Sequence, residues 1–177
     1  MSTQSRITWL LCMLLSICTL AAKQHPAEGE IVPDFTLLNQ YGEPVQLYAL
    51  LEQSPVILIF YPHDESTVCT KQWCTLRDLE PAIRAKGITI VGINTETPQV
   101  HASFAAHHTL PFQMLSDPDG TVAHHFGATY LWGKLPRRST ILINQQKMVV
   151  ARYDKLKGLF DIEKHIDIIR KALAESL

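Results

Sequence analysis

Cysteine is scarce in this chain: there are four in 177 residues, and Cys12 and Cys18 fall within the first 22. That scarcity excludes the dense disulfide framework of a small secreted domain. Charge of either sign is not in excess, with 16 Lys and Arg against 17 Asp and Glu and a formal net charge of −1. Without a basic stripe or a basic amphipathic helix, nucleic acid and anionic membrane surfaces are poor partners, which leaves small molecules and proteins. No apolar run reaches the roughly 20 residues that span a bilayer comfortably. Internal repeats and long Pro/Gly/Ser-rich linkers are missing too, so 177 residues of 46% hydrophobic composition read as one well-buried core.

What the N-terminus does have is Arg6, then sixteen uncharged residues from Ile7 to Ala22, then the polar Lys23-Gln24-His25. Thr19 and Ala21 supply small residues at the −3 and −1 positions of a cut after Ala21. Residues 1–22 are therefore expected to be a signal peptide and 23–177 the folded domain. The same stretch reads alternatively as an uncleaved N-terminal membrane anchor, while a lipoprotein signal ending at Cys18 is disfavoured by Ile17, where a small residue belongs. The expectation is an exported protein of the bacterial periplasm, free or membrane-anchored. Removing the segment leaves 15 basic and 17 acidic residues, and only two thiols, Cys69 and Cys74.

From Pro33 onward two hydrophobic periods alternate. Phe35 to Leu38 and Val45 to Leu47, around Asn39-Gln40-Tyr41-Gly42, predict a hairpin. Val56 to Tyr61 and Ile88 to Ile93 are continuous apolar runs of the kind buried on both faces. Between them Cys69 to Lys86 predicts a helix closed by Gly87, kinked or divided at Pro81, whose ring clashes with the carbonyl of Arg77. Pro98 to His107, with Thr97 as N-cap, predicts a second helix. Phe112 to Leu115 follows as a strand, Ser116 to Gly120 as a turn and Thr121 to Phe126 as a short helix ended by Gly127. Thr140 to Ile143 and Val149 to Tyr153 predict another hairpin. Leu159, Ile162, Ile166, Ile169 and Leu173 then fall on one stripe of a last helix. The order is that of an α/β fold with a central mixed sheet flanked by helices.

Two cysteines five residues apart at the exit of a strand raise a geometric question. A helix N-terminus presents unpaired N–H groups and a partial positive charge, which favour a thiolate over a thiol and can hold an oxyanion. Cys69 sits there and Cys74 does not. In an ideal helix residues five apart have Cα atoms about 8.6 Å apart, whereas a disulfide needs less than about 7 Å. A permanent staple would work against its own helix; a bond that forms and breaks with local unwinding fits better.

The surrounding residues are informative as a set. Pro62, Ser66 and Cys69 stand in the Pro-x-x-x-Ser/Thr-x-x-Cys pattern of peroxiredoxins, and "CTKQWCTLRD" resembles the atypical two-cysteine branch called bacterioferritin comigratory protein or peroxiredoxin Q. "VPDFTLLNQYGEPVQL" resembles the family's opening hairpin, "LPFQMLSDPDGTVAHHFGA" its middle segment and "RRSTILINQQKMVVARY" its Arg-Ser-Thr strand and hairpin. The likeness runs from about Gly29 to Leu173. It implies a thioredoxin-like fold with an N-terminal β-hairpin and a peroxidase that needs no cofactor or metal. It also implies that Cys69 is peroxidatic and Cys74 resolving, closing an intramolecular disulfide. By the same resemblance Ser66 supplies the hydroxyl near the peroxide, Pro62 shields the site and Arg138 meets the thiolate. The implied partners are a hydroperoxide and a thioredoxin-like reductant, with the chain a monomer or weak dimer. Two departures stand out: Gln72 replaces the Glu often found in "CTxExC", and His63 a common Lys or Arg.

Competing readings keep other chemistry open. A general thiol-disulfide oxidoreductase is disfavoured by the missing Cys-x-x-Cys. Copper binding draws on His63 and the pairs His107-His108 and His124-His125. Cys-x4-Cys is a looser grip than the Cys-x-x-x-Cys of copper-delivering relatives, and adjacent helical histidines point about 100° apart. Arg137 is expected in solvent, and Arg77 beside Glu80.

Overall fold

The computed structural model describes residues 25–130 and 133–154. Seven strands form one sheet in the order β2-β1-β5-β4-β3-β6-β7. They are β1 (Thr36–Asn39), β2 (Pro44–Gln46), β3 (Val56–Phe60), β4 (Thr89–Asn94), β5 (Gln113–Ser116), β6 (Ser139–Ile143) and β7 (Val149–Asp154). The helices are α1 (Leu47–Gln53), α2 (Thr67–Ala85), α3 (Pro98–His107) and α4 (Thr121–His125). Strands β3, β4 and β5 run parallel, while β1 joins β5 and β6 joins β3 antiparallel. This is the mixed sheet of a thioredoxin-like fold.

Every residue of β3 is buried, as its unbroken Val-Ile-Leu-Ile-Phe run requires of a central strand covered on both faces. Its side chains alternate between two cores. Ile57 and Ile59 join Trp73 and Leu76 of α2 and Phe104 of α3 on one face. Val56, Leu58 and Phe60 join Leu47 and Leu51 of α1 and Val122 of α4 on the other. Helix α2 buries Cys69, Gln72, Trp73, Leu76 and Ile83, a stripe at helical spacing that ties the cysteine's orientation to core packing. Gly92 of β4 makes room for this face: a Cβ there would lie 2.6 Å from Trp73 Cζ2.

Several expectations need correction. Helix α2 runs continuously through Pro81 and begins at Thr67, so the cysteines do not occupy a separate short segment. Helix α1 was hidden because its seven residues follow directly on the hairpin and read as its continuation. Arg77 donates to the carbonyl oxygen of His108 and pairs with Asp78, whereas Glu80 pairs with Arg84. Arg137 is not solvated; it donates twice to the carbonyl oxygen of Gly127. The final helix and the N-terminal apolar segment lie outside the described residues. Among the described residues, no helix is long and apolar enough to cross a membrane.

Candidate active site

Sheet register sets the site. In the antiparallel pairing of β3 with β6, Phe60 lies opposite Ser139. The residues just beyond this pair, Tyr61 on one strand and Arg138 before the other, therefore leave the sheet at the same edge. The chain after Tyr61 turns through Pro62 to Glu65 and enters α2, whose N-cap is Ser66: its hydroxyl oxygen accepts from the backbone N–H of Cys69 at 3.4 Å. The cap satisfies one of the orphan donors of the helix start, and Cys69 falls in the first turn, fully buried.

Arg138 then reaches across the sheet edge. Its Nη2 lies 2.9 Å from Cys69 Sγ, and its Nη1 donates to the side-chain oxygen of Gln72. Gln72 is buried one turn after Cys69 on the same face of α2, so one helix presents both the sulfur and the acceptor that aims the guanidinium at it. Cys74 is half-buried, and both cysteines are free thiols. Pro62 is half-buried, whereas His63 is exposed and its Nδ1 lies 3.2 Å from Glu96 Oε1. Ser66, Cys69 and Arg138 thus meet at the N-terminal end of α2, with Pro62 in the loop that leads into it.

Beneath the loop is a buried polar cluster that sequence reasoning missed. Asp64 Oδ1 accepts from the Tyr61 hydroxyl at 2.6 Å and from Asn94 Nδ2 at 2.9 Å, and its Oδ2 lies 2.8 Å from His101 Nδ1. Burial and the neighbouring Asp64 carboxylate push the Tyr61 hydroxyl well above its ordinary range. His101 Nε2 is buried without a hydrogen-bond partner among the described residues. The signal was weak in sequence: a single histidine in a helix and a single aspartate in a loop, 37 residues apart.

A third group lies on the surface. Glu65, in a left-handed conformation at φ 52°, extends its two carboxylate oxygens to His107 Nδ1 and His108 Nε2, each at 3.2 Å. Hydrogen bonds from these two histidines hold the Glu65 carboxyl below its usual range. The reading that adjacent helical histidines diverge is corrected here, because His108 is the C-cap of α3 rather than part of it. The His124 and His125 rings lie with centroids 6.4 Å apart and 51° between the planes.

Comparison with known proteins gives the family. Residues 29–152 match the model of the AhpC/TSA family, and the chain belongs to it. A chloroplastic peroxiredoxin Q of Sedum lineare is 37% identical over 147 residues, covering 82% of this chain and 77% of its own. The crystal structure of the peroxidoxin BcpB of Mycobacterium tuberculosis superposes with a TM-score of 0.73 at 34% identity, covering 84% of this chain and 99% of that one. A Xanthomonas campestris peroxiredoxin Q structure gives 0.71 at 25% identity, covering 81% and 92%. Within the family the branch is that of peroxiredoxin Q and bacterioferritin comigratory protein, and the activity is that of a thiol-dependent peroxidase. Its substrate class is peroxide and its reductant thioredoxin-like.

Proposed function

We propose that Cys69 is the peroxidatic cysteine and Cys74 the resolving one, with Arg138, Ser66 and Pro62 completing the site. The observation that carries this reading is Arg138 Nη2, 2.9 Å from a sulfur buried in the first turn of a helix. The Cys69 thiolate attacks one peroxide oxygen, the O–O bond breaks, and the leaving oxygen takes a proton to become water or an alcohol. Cysteine is oxidised to sulfenic acid as the peroxide is reduced. Arg138 stands where charge passes from sulfur to oxygen. Ser66 accepts from the Cys69 amide, so its own O–H remains to donate to the peroxide. Pro62, with no N–H to hydrate, limits water at the mouth.

Cys74 then displaces water from the sulfenic acid, forming the S–S bond, and two thiols of the reductant return both cysteines to the reduced state as they become a disulfide. Both cysteines lie within α2, at an ideal separation of about 8.6 Å, so closure requires its first turns to unwind.

For residues 1–22 the proposed role is an export signal, with 23–177 as the working domain. The chloroplastic relatives carry a competing reading, delivery to a plastid. Such leaders are amphipathic and rich in Arg and Ser, whereas this segment has one arginine before sixteen uncharged residues.

One experiment addresses both proposals: protein purified as its own cells process it, fully reduced, given one equivalent of hydrogen peroxide and followed by intact mass and thiol count. The expected outcome is a mass lacking the first 21 or 22 residues, a cut after Ala21 or Ala22. Oxidation should then remove two thiols and two mass units in the wild type and trap a sulfenic acid on Cys69 in Cys74→Ser. Unchanged thiols in the wild type would overturn the two-cysteine cycle, and an uncut mass the signal.

A further inference from the structure

We propose that Glu65, His107 and His108 form a surface site for a divalent transition cation of the zinc or copper type. One carboxylate oxygen and two imidazole nitrogens have ligand atoms all within 4.8 Å of one another. Two ligand atoms each about 2.05 Å from a tetrahedral ion are separated by roughly 3.3 Å. Glu65 Oε1 lies 3.2 Å from His107 Nδ1 and Glu65 Oε2 3.2 Å from His108 Nε2, so each histidine already stands near that edge from its own carboxylate oxygen, and a small rotation of the exposed carboxylate brings one oxygen to both. Two imidazoles and a carboxylate are a donor set for zinc, copper or nickel, and a poor one for calcium or magnesium, which take oxygen ligands.

Burial divides the three residues usefully. The His108 side chain is 17% exposed and packs its ring edge-on to Phe104 at 5.0 Å, which holds one ligand in place. His107 is 70% exposed and stacks on His108 at 4.5 Å with 27° between the planes. An ion must lie near the plane of each ring it meets, so the free His107 turns off the stack while His108 stays. Glu65 brings the carboxylate from the loop one residue before Ser66. The open positions face solvent and take water.

Such an ion ties the loop before α2 to the C-terminal end of α3. The same loop already meets the N-terminal half of α3 in the interior through Asp64 and His101, and Arg77 of α2 holds the C-terminal end of α3 through the His108 carbonyl. The cation is thus a clasp on the outside of the loop, with no part in peroxide chemistry, and the site stands independently of the roles proposed for the cysteines.

The test is Zn2+ titrated by calorimetry into the processed protein carrying Cys69→Ser and Cys74→Ser, so that no thiol of the folded domain binds the metal. One equivalent should bind. His107→Ala and Glu65→Gln should each weaken binding by about tenfold or more, while the paired His124→Ala, His125→Ala control should leave it unchanged. Because a ligand that binds only the folded state raises its melting temperature, Zn2+ should raise Tm in the parent and not in His107→Ala. His107 is mostly exposed, so that variant folds. Absence of binding, or equal affinity in His107→Ala and Glu65→Gln, would overturn the site, as would loss of binding in the His124/His125 control.

Discussion

Gln72 is one of the two departures from the pattern this chain resembles, and the one where a side chain acts through another. Its oxygen accepts from Arg138, which in turn meets the sulfur. A neutral amide holds the guanidinium by a hydrogen bond and leaves its charge less compensated than a carboxylate would. Gln72→Leu keeps the volume and removes the acceptor. The expected outcome is a fall in the rate of Cys69 oxidation between about ten- and a hundredfold, the cost of a misplaced catalytic group. Gln72→Glu, which retains an acceptor in the same place, should restore most of it. Stopped-flow oxidation of the three proteins at matched folding checks this; equal rates in Leu and Gln would remove Gln72 from the positioning of Arg138.

At the scale of elements, the proposed cycle asks α2 to be both a finished helix and one that unwinds. With its cysteines free it is capped by Ser66 and packed through Trp73 and Leu76, and the proposed Cys69–Cys74 disulfide would require its first turns to leave that packing. Pro81 lies in its second half and cannot donate to the carbonyl of Arg77, so the helix is missing a bond just beyond the part that must open. Pro81→Ala restores that bond. Closure of the Cys69–Cys74 disulfide should slow relative to sulfenic acid formation, read by rapid quench and mass, and an unchanged ratio would show that Pro81 has no such role.

Across the whole molecule, one buried carboxylate anchors the active-site loop to both β4 and α3 in the interior. Asp64 joins Tyr61, Asn94 and His101, all buried. Removing it in Asp64→Ala leaves a hydroxyl, an amide and an imidazole without their partner in a dry interior, a change expected to cost about 3–5 kcal/mol. Chemical denaturation should show this as a lower midpoint, whereas Glu52→Ala, at an exposed acidic residue of α1, should lose far less. A small loss for Asp64→Ala would mean that the loop is held by its apolar contacts instead.

Local patterns made much of the fold legible: unbroken apolar runs for β3 and β4, Thr97-Pro98 for the start of α3, Gly127 past the end of α4, and a loop-to-helix junction for Cys69. These signals act within a few residues, because helical and strand periods and caps are short-range effects. Residues 62, 66 and 69 could be recognised together for the same reason. The meeting of Arg138 with Cys69, across 69 residues, could be named from resemblance, but its distance and its shared acceptor Gln72 come from the β3–β6 register. Asp64 with His101 and Glu65 with His107 and His108 had no such guide. What the sequence by itself determined is most of the strands and helices, α1 excepted, and the class of chemistry at the start of α2. Which distant side chains stand against that chemistry was decided only in the tertiary structure, since pairing across a sheet and packing at a helix end depend on register and burial that no local period encodes.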